Sequence, residues 1–246
     1  MICDEDIIVL DIKDEWIKEA LENSKELGEL NNSITFGDGN LAGMVGEIGF
    51  SETYNQTRTN IHKIQDDYGK GKNEVYHYDM FDKNNNKNEV KTKRCTSLPR
   101  LEYATSICNA NIVQKCHYYL FTRVFLEEKI IWILGWLEKL EYFKKSKFCI
   151  KDELDPDSDI GFDFKADCWN CYIKDLNPVP SLENMKFNSP DWDKQHEELI
   201  KIITPKKIES RKRKLERIQK EKDELSVKLS KIPDDWFDEL SKKQFN

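Results

Sequence analysis

Residues 75–93, VYHYDMFDKNNNKNEVKTK, decide the fold. Over 75–81 and again over 88–93 the pattern has period two, that of an extended strand whose successive side chains leave on opposite faces. On the first strand Val75, His77, Asp79 and Phe81 share a face; on the second Glu89, Lys91 and Lys93 share one, with Val90 and Thr92 on the other. Between them DKNNNK carries three consecutive Asn, a residue that tolerates left-handed backbone and bonds its own main chain in turns. The expectation is a β-hairpin that sets Asp79 beside Glu89 and Lys91, so that two carboxylates and one amine converge at the mouth of a sheet.

Outward from the hairpin, the pattern predicts an α/β chain with a mixed β-sheet flanked by helices. Residues 7–12 (IIVLDI) read as a short strand or the lead into a helix. Asp14 is a suitable N-cap for a helix through about Leu30, with Trp16, Ile17, Ala20, Leu21 and Leu27 as its apolar stripe. Residues 31–40 form a turn-rich loop, and 41–54 (LAGMVGEIGFSETY), apolar and rich in small residues, read as a buried helix packed closely on its neighbour. Downstream come a strand at 101–108, a short helix or loop around 109–115, and two strands at 117–125 and 130–137 joined through 126–129. A helix over 138–146 and a strand over 162–173 complete the domain. Trp132 and Trp136 fall in an apolar strand and belong to the core. Pro178, Pro180 and Pro190 then punctuate the chain, so the domain is expected over 1–180, with a helical C-terminal extension over 181–246.

Composition bounds the function. No run of about 18 apolar residues occurs, which excludes a membrane-spanning helix, and the N-terminus has no basic region before its short apolar stretch, unlike a signal peptide. Seven Cys at scattered spacing make a poor disulfide framework, and the pair Cys168-x-x-Cys171 has no second pair to complete a zinc site. Together these point to the cytoplasm, and the high Lys, Asn and Ile content, like that of an AT-rich genome, points to a bacterial or virus-infected cell. The net charge is −7, but residues 1–36 alone hold ten acids against three Lys. The remainder is neutral overall, with basic clusters at Lys91, Lys93 and Arg94 and across 206–222, so the acidic total does not exclude a nucleic-acid partner.

The trio in the hairpin suits phosphodiester hydrolysis. Mg²⁺ takes oxygen ligands and commonly uses only one or two protein carboxylates, the rest of its shell being water and phosphate. Asp79, Glu89 and the backbone carbonyl of Val90 are the candidate ligands. A bound metal lowers the pKa of its water, and Lys91 is placed to hold the hydroxide and offset charge on the oxyanion.

Asp79 followed ten residues on by Glu89-Val90-Lys91 resembles the PD-(D/E)XK nuclease superfamily. The resemblance implies a restriction-endonuclease-like fold, in the order helix, strand, strand carrying Asp, strand carrying Glu-x-Lys, helix, strand, which residues 40–125 reproduce. It implies a Mg²⁺-dependent endonuclease, with Mn²⁺ as a substitute, acting on double-stranded DNA. Glu47, the only charged residue between Asp38 and Glu52, matches the acid that the preceding helix often adds to the site. Gln114 and Tyr118 resemble a Gln-x-x-x-Tyr element of some members, although Tyr118 also reads as a core strand residue. Lys93, Arg94, Gln114 and Lys115 are the candidate DNA contacts. Tyr78 stands where the motif has its Pro. The alternative is a non-catalytic nucleic-acid-binding or structural protein that retains the fold.

Other chemistries lack their residues. No Gly-rich phosphate loop follows a strand, and His62, His77, His117 and His196 have no metal-ligand spacing, though His77 shares a face with Asp79. The stretch 206–222 holds nine Lys and Arg against three Glu, and Ile208, Leu215, Ile218, Leu225, Leu229 and Ile232 fall at heptad a and d positions. Such a helix could bind DNA phosphates, form a homodimeric coiled coil, or be a solvated arm.

Overall fold

The computed structural model describes residues 2–27, 40–58, 78–154, 163–184 and 191–231. It divides into two compact units, Met1–Thr204 and Pro205–Asn246. The first opens with β1 (Ile8–Asp11), α1 (Asp14–Leu27), α2 (Asn40–Tyr54) and two short strands, β2 (Thr57–Arg58) and β3 (Met80–Phe81). It continues with β4 (Lys87–Arg94), β5 (Ala104–Cys108), a 3-10 turn over Asn109–Val113, β6 (Tyr118–Phe125) and β7 (Ile130–Glu138). Helix α3 (Lys139–Lys145), β8 (Lys147–Cys149) and β9 (Cys168–Tyr172) follow. A last helix, α4 (Trp192–Leu229), contains Pro205, where the division into units falls.

Six strands form one mixed sheet in the order β1-β7-β6-β4-β3-β2, and three form a second in the order β5-β9-β8. Within the larger sheet β4 and β6 run parallel while the other pairs are antiparallel. Parallel neighbours need a crossover connection, and here β5 and the 3-10 turn supply it. The sequences of β6 and β7, YYLFTRVF and IIWILGWLE, are apolar on both sides rather than alternating, as strands covered on both faces must be. On one face Val90, Leu120, Ile131 and Ile133 pack with Trp16 and Ala20 of α1 and Val45 and Ile48 of α2. On the other, Tyr119, Phe121 and Leu134 pack with Tyr142 and Phe143 of α3 and with Trp169 of the small sheet. The Tyr142 hydroxyl donates to the Trp169 carbonyl at 2.7 Å and closes α3 onto that sheet.

Local chemistry accounts for the hairpin. Met80 pairs with Asn88 and Phe81 with Lys87. In the turn, Asp82 Oδ1 accepts from the backbone amides of Asn84 and Asn86 at 2.8 and 3.0 Å, and Asn85 takes the left-handed conformation at φ 63°. The three Asn are therefore turn-forming residues, as their spacing predicts. Of the first expected strand, residues 75–77, with Val75 and His77, lie outside the described residues, as does the loop over 31–39.

The seating of α2 is set by its glycines. A Cβ on Gly46 would stand 2.1 Å from Thr92 Oγ1 and 2.8 Å from Thr122 Oγ1, and one on Gly49 would stand 2.5 Å from Ile131 Cδ1. Helix and sheet approach so closely there that no side chain fits between them.

Several sequence expectations are corrected. Asp14 lies inside α1 rather than capping it: the Lys13 carbonyl accepts from Trp16 and Ile17, and the Asp14 carboxylate pairs with Lys129 at 2.6 Å. Leu21, expected in the apolar stripe, is exposed, while Trp16 and Ala20 are buried. The strands at 101–108 and 162–173 are shorter, because residues 101–103 form a turn and 164–167 a bend before β9. The first unit also runs past the prolines to Thr204, since Leu199 and Ile203 of α4 are buried in the same cluster as Trp169. Trp132 and Trp136 are core residues as read, and the Trp136 indole donates to the Ser181 hydroxyl at 3.0 Å.

In the second unit the helix carries its heptad seam in the open: Ile208, Leu215, Leu225 and Leu229 are all exposed. Ion pairs one turn apart, Arg213–Glu209, Lys212–Glu216, Arg217–Glu221 and Lys220–Glu224, line its sides. Each such pair contributes only about 0.3–0.5 kcal/mol. No helix among the described residues is long and apolar enough to cross a membrane.

The close seating of α2 yields a direct test. Alanine in place of a helical glycine ordinarily stabilises by about 0.8–1 kcal/mol, whereas overpacking costs about 1–3 kcal/mol. Gly46→Ala is expected to lose stability on balance in urea denaturation, and Thr92→Ala in the same chain to recover most of the loss. A stabilised Gly46→Ala protein would show that the contact is slack.

Candidate active site

Three elements converge on one group of charges. Glu89 and Lys91 leave β4 on the same side, and Lys91 Nζ lies 2.6 Å from Glu89 Oε1. Asp79 sits just ahead of β3, its amide donating to the Asn88 carbonyl at 2.8 Å. Asp79 Oδ2 accepts from the Val90 amide at 2.7 Å, so the carboxylate takes the place of a strand carbonyl at this end of the hairpin. From α2, Glu47 follows directly on Gly46 and is electrostatically coupled to both Asp79 and Glu89. The structure thus brings together Glu47, Asp79, Glu89 and Lys91, all four named from sequence.

Their protonation reflects burial and crowding. Burial, then the Glu89 charge, pushes the Glu47 carboxyl up to about 8, against the opposing pull of Lys91 and Arg58. Burial, followed by Glu47 and Glu89, raises Asp79 well above the usual carboxylate range, although Lys91 and the Val90 amide work the other way. Lys91 behaves differently. Burial pulls its pKa down, but the Glu89 and Asp79 carboxylates outweigh that, and the ammonium ends above its ordinary value. Desolvation disfavours a charge and a nearby opposite charge restores it, so Lys91 remains a cation while Glu47 and Asp79 are pushed toward their neutral forms.

Glu89 is fixed by a shell that the sequence reading missed in part. Its Oε1 accepts a second bond, from Gln114 Nε2 at 2.5 Å. Behind Gln114, the buried Lys139 ammonium donates to the Gln114 backbone carbonyl. Burial lowers the Lys139 pKa, partly offset by Cys116 and Glu89. Gln114, expected to touch DNA, is therefore a buried residue that positions Glu89. Its partner in the Gln-x-x-x-Tyr element, Tyr118, is a core residue of β6 whose hydroxyl donates to Asp82 at 2.8 Å. The remaining DNA candidates Lys93, Arg94 and Lys115 are exposed, with Arg94 paired to Glu127. His117 accepts from the Lys87 amide through Nδ1 at 2.7 Å and packs edge-on to Trp192, which makes it structural. His77 lies outside the described residues.

Among the described residues no group of three or more His, Cys, Asp or Glu stands in metal-ligand geometry. The oxygens of Asp79 and Glu89 are turned onto protein donors, the Val90 amide, Lys91 and Gln114. One oxygen is the exception: Glu89 Oε2 is buried with no hydrogen-bond partner. A buried acceptor left without a donor costs about 1–3 kcal/mol or more, and a hard cation is the ligand that three oxygen donors of this kind accommodate. Glu89 Oε2 is thus the oxygen a cation could engage, although Glu47, Asp79 and Glu89 do not form a metal-ligand group as they stand.

No family model matches the chain, and no curated protein matches it either.

The raised carboxylates fix a sign for pH dependence. Glu47 titrates near 8 in the folded chain against an ordinary value of 4.5. Between those values the folded chain holds a proton that the unfolded chain has lost, so stability falls as pH rises through the window. The melting temperature of metal-free protein is expected to drop from about pH 5 to about pH 8. Glu47→Gln removes the titration and should flatten that drop; an unchanged slope in Glu47→Gln would refute the burial of this carboxyl.

Proposed function

We propose that this chain is a Mg²⁺-dependent endonuclease that hydrolyses phosphodiester bonds in double-stranded DNA on a restriction-endonuclease-like fold. The observation that carries the reading is one group of charges in which Lys91 pairs with Glu89 at 2.6 Å, the Asp79 carboxyl feels the charges of Glu47 and Glu89, and a buried Glu89 oxygen lacks any donor. Glu47, Asp79 and Glu89, with the Val90 carbonyl, are the groups that would hold the metal. When bound, Mg²⁺ or Mn²⁺ supplies a water of lowered pKa and neutralises charge on the phosphate. Lys91, kept cationic by its carboxylate neighbours, offsets charge building on a phosphate oxygen in the transition state. Gln114 and Lys139 hold Glu89 in one orientation, so that little reorganisation is needed when substrate arrives.

Plasmid nicking tests this directly. Asp79→Ala, Glu89→Ala and Lys91→Ala are each expected to lower cleavage by about two orders of magnitude or more while the protein stays folded and binds DNA. Mg²⁺ or Mn²⁺ should support cleavage, and Ca²⁺ binding alone, because its looser coordination orients water poorly. Full activity in EDTA, or in any two of the three variants, would end the proposal.

The carboxylate oxygens already engaged by protein donors favour a second reading, a non-catalytic nucleic-acid-binding protein. It requires Mg²⁺-independent binding and no nicking at any metal concentration. The exposed basic helix gives either reading a polyanion surface. Truncation after Thr204 is expected to weaken DNA binding and flatten its salt dependence, since fewer counterions are then released. If the exposed seam instead holds two copies together, light scattering of the truncated chain will show half the mass. A truncated chain unchanged in mass, affinity and salt slope would make the helix a passive arm.

A further inference from the structure

The small sheet carries a row of thiols that no part of the nuclease reading uses. In the antiparallel register Cys149 of β8 stands opposite Cys168 of β9, and Cys108 of β5 stands opposite Cys168 on its other side. Directly opposed residues in antiparallel strands share a face, with Cα atoms about 4.5–5.5 Å apart. A disulfide bridges about 4.4–6.8 Å between Cα atoms, so this register needs no movement of the main chain. The side chains agree: the Asn170 amide donates to Cys149 Sγ at 3.1 Å and to Cys168 Sγ at 3.4 Å, holding both sulfurs around one nitrogen. Buried cysteines are usually small apolar fillers, and Cys171, on the opposite side of the same strand, is one. Cys149 and Cys168 differ, because among the described residues they form a cluster apart from the main core with Phe164.

We propose that Cys149 and Cys168 form a reversible cross-strand disulfide by exchange with a low-molecular-mass disulfide. The Cys149 thiolate is the first nucleophile: the Cys168 thiol hydrogen-bonded to it lowers its pKa, burial opposes this, and Asn170 adds to the lowering. Its sulfur attacks one sulfur of glutathione disulfide, forms a mixed disulfide and expels one glutathione thiolate, which takes up a proton. Cys168 then gives its proton to solvent and attacks the Cys149 sulfur, forming the protein disulfide and expelling the second glutathione. Two protein thiols are oxidised and one glutathione disulfide is reduced to two thiols. The bond fastens β8 to β9 and closes the segment 150–167 into a loop.

The test uses the full-length chain in native buffer with excess glutathione disulfide, followed by alkylation with iodoacetamide, proteolysis and mass spectrometry. The peptides containing Cys149 and Cys168 are expected as one linked species, absent after dithiothreitol. The oxidised protein should also melt at a higher temperature, a gain that reductant reverses. Cys168→Ser removes the central thiol, leaves Cys108 and Cys149 with no thiol opposite, and should form no linked species among the three. Recovery of Cys149 and Cys168 as separately alkylated peptides overturns the proposal, as does a link from Cys149 to a distant cysteine such as Cys3 or Cys95. The wild-type peptide map decides the matter even if Cys168→Ser fails to fold, and the outcome is independent of nuclease activity.

Discussion

The candidate site depends on how closely one helix lies on one sheet. Where α2 crosses β4 and β6, Gly46 leaves no room for even a methyl group above Thr92 and Thr122. The next residue is Glu47, so the missing side chain brings a carboxylate into the field of Asp79 and Glu89. A wider helix-to-sheet spacing would move Glu47 away from the other acids, weaken the repulsion and return the Glu47 and Asp79 pKa values toward the ordinary range. Packing and electrostatics meet here: the glycine that permits dense contact is followed directly by the carboxyl that feels the Glu89 charge.

Within that enclosure the lysine and the carboxylates are not interchangeable. An isolated buried ammonium would give up its proton and an isolated buried carboxylate would keep one. Together they leave Lys91 charged and shift the burden onto Glu47 and Asp79. Glu89 is held by two donors on one oxygen and none on the other. That asymmetry is the feature a cation would exploit. The Lys139–Gln114 connection extends the fixed shell behind Glu89 and ties the site to the start of α3.

What the sequence revealed was local. The period-two runs, the Asn-rich turn and the apolar helix with its single Glu all report on residues near one another in the chain, where pattern and geometry are linked directly. The order of elements from α2 to β6 followed from them, as did the convergence of Asp79, Glu89 and Lys91. The roles of Gln114 and Lys139 were hidden because both depend on the parallel β4–β6 pairing. The crossover returns the chain beside β4, so that Gln114 arrives 25 residues after the carboxylate it holds. Tyr118 was ambiguous for the same reason, and its tie to the turn residue Asp82 separates it from Gln114. The prolines misled about where the compact unit ends, because a buried Leu199 and Ile203 lie beyond them and punctuation says nothing of later burial.

The concentration of acid at the N-terminus gains a meaning from the position of β1. Among the described strands β1 is an outer strand of the larger sheet, paired only with β7, and Val9 on it is 58% exposed. An open edge with an exposed branched side chain is a template on which another copy's strand can add. Asp4, Glu5 and Asp6 lie just ahead of this strand and Asp11 ends it. A second molecule approaching through the same edge would bring the same acids with it, and repulsion would oppose the first pairing. The acid concentrated at this end is thus placed to oppose edge-to-edge pairing of two copies.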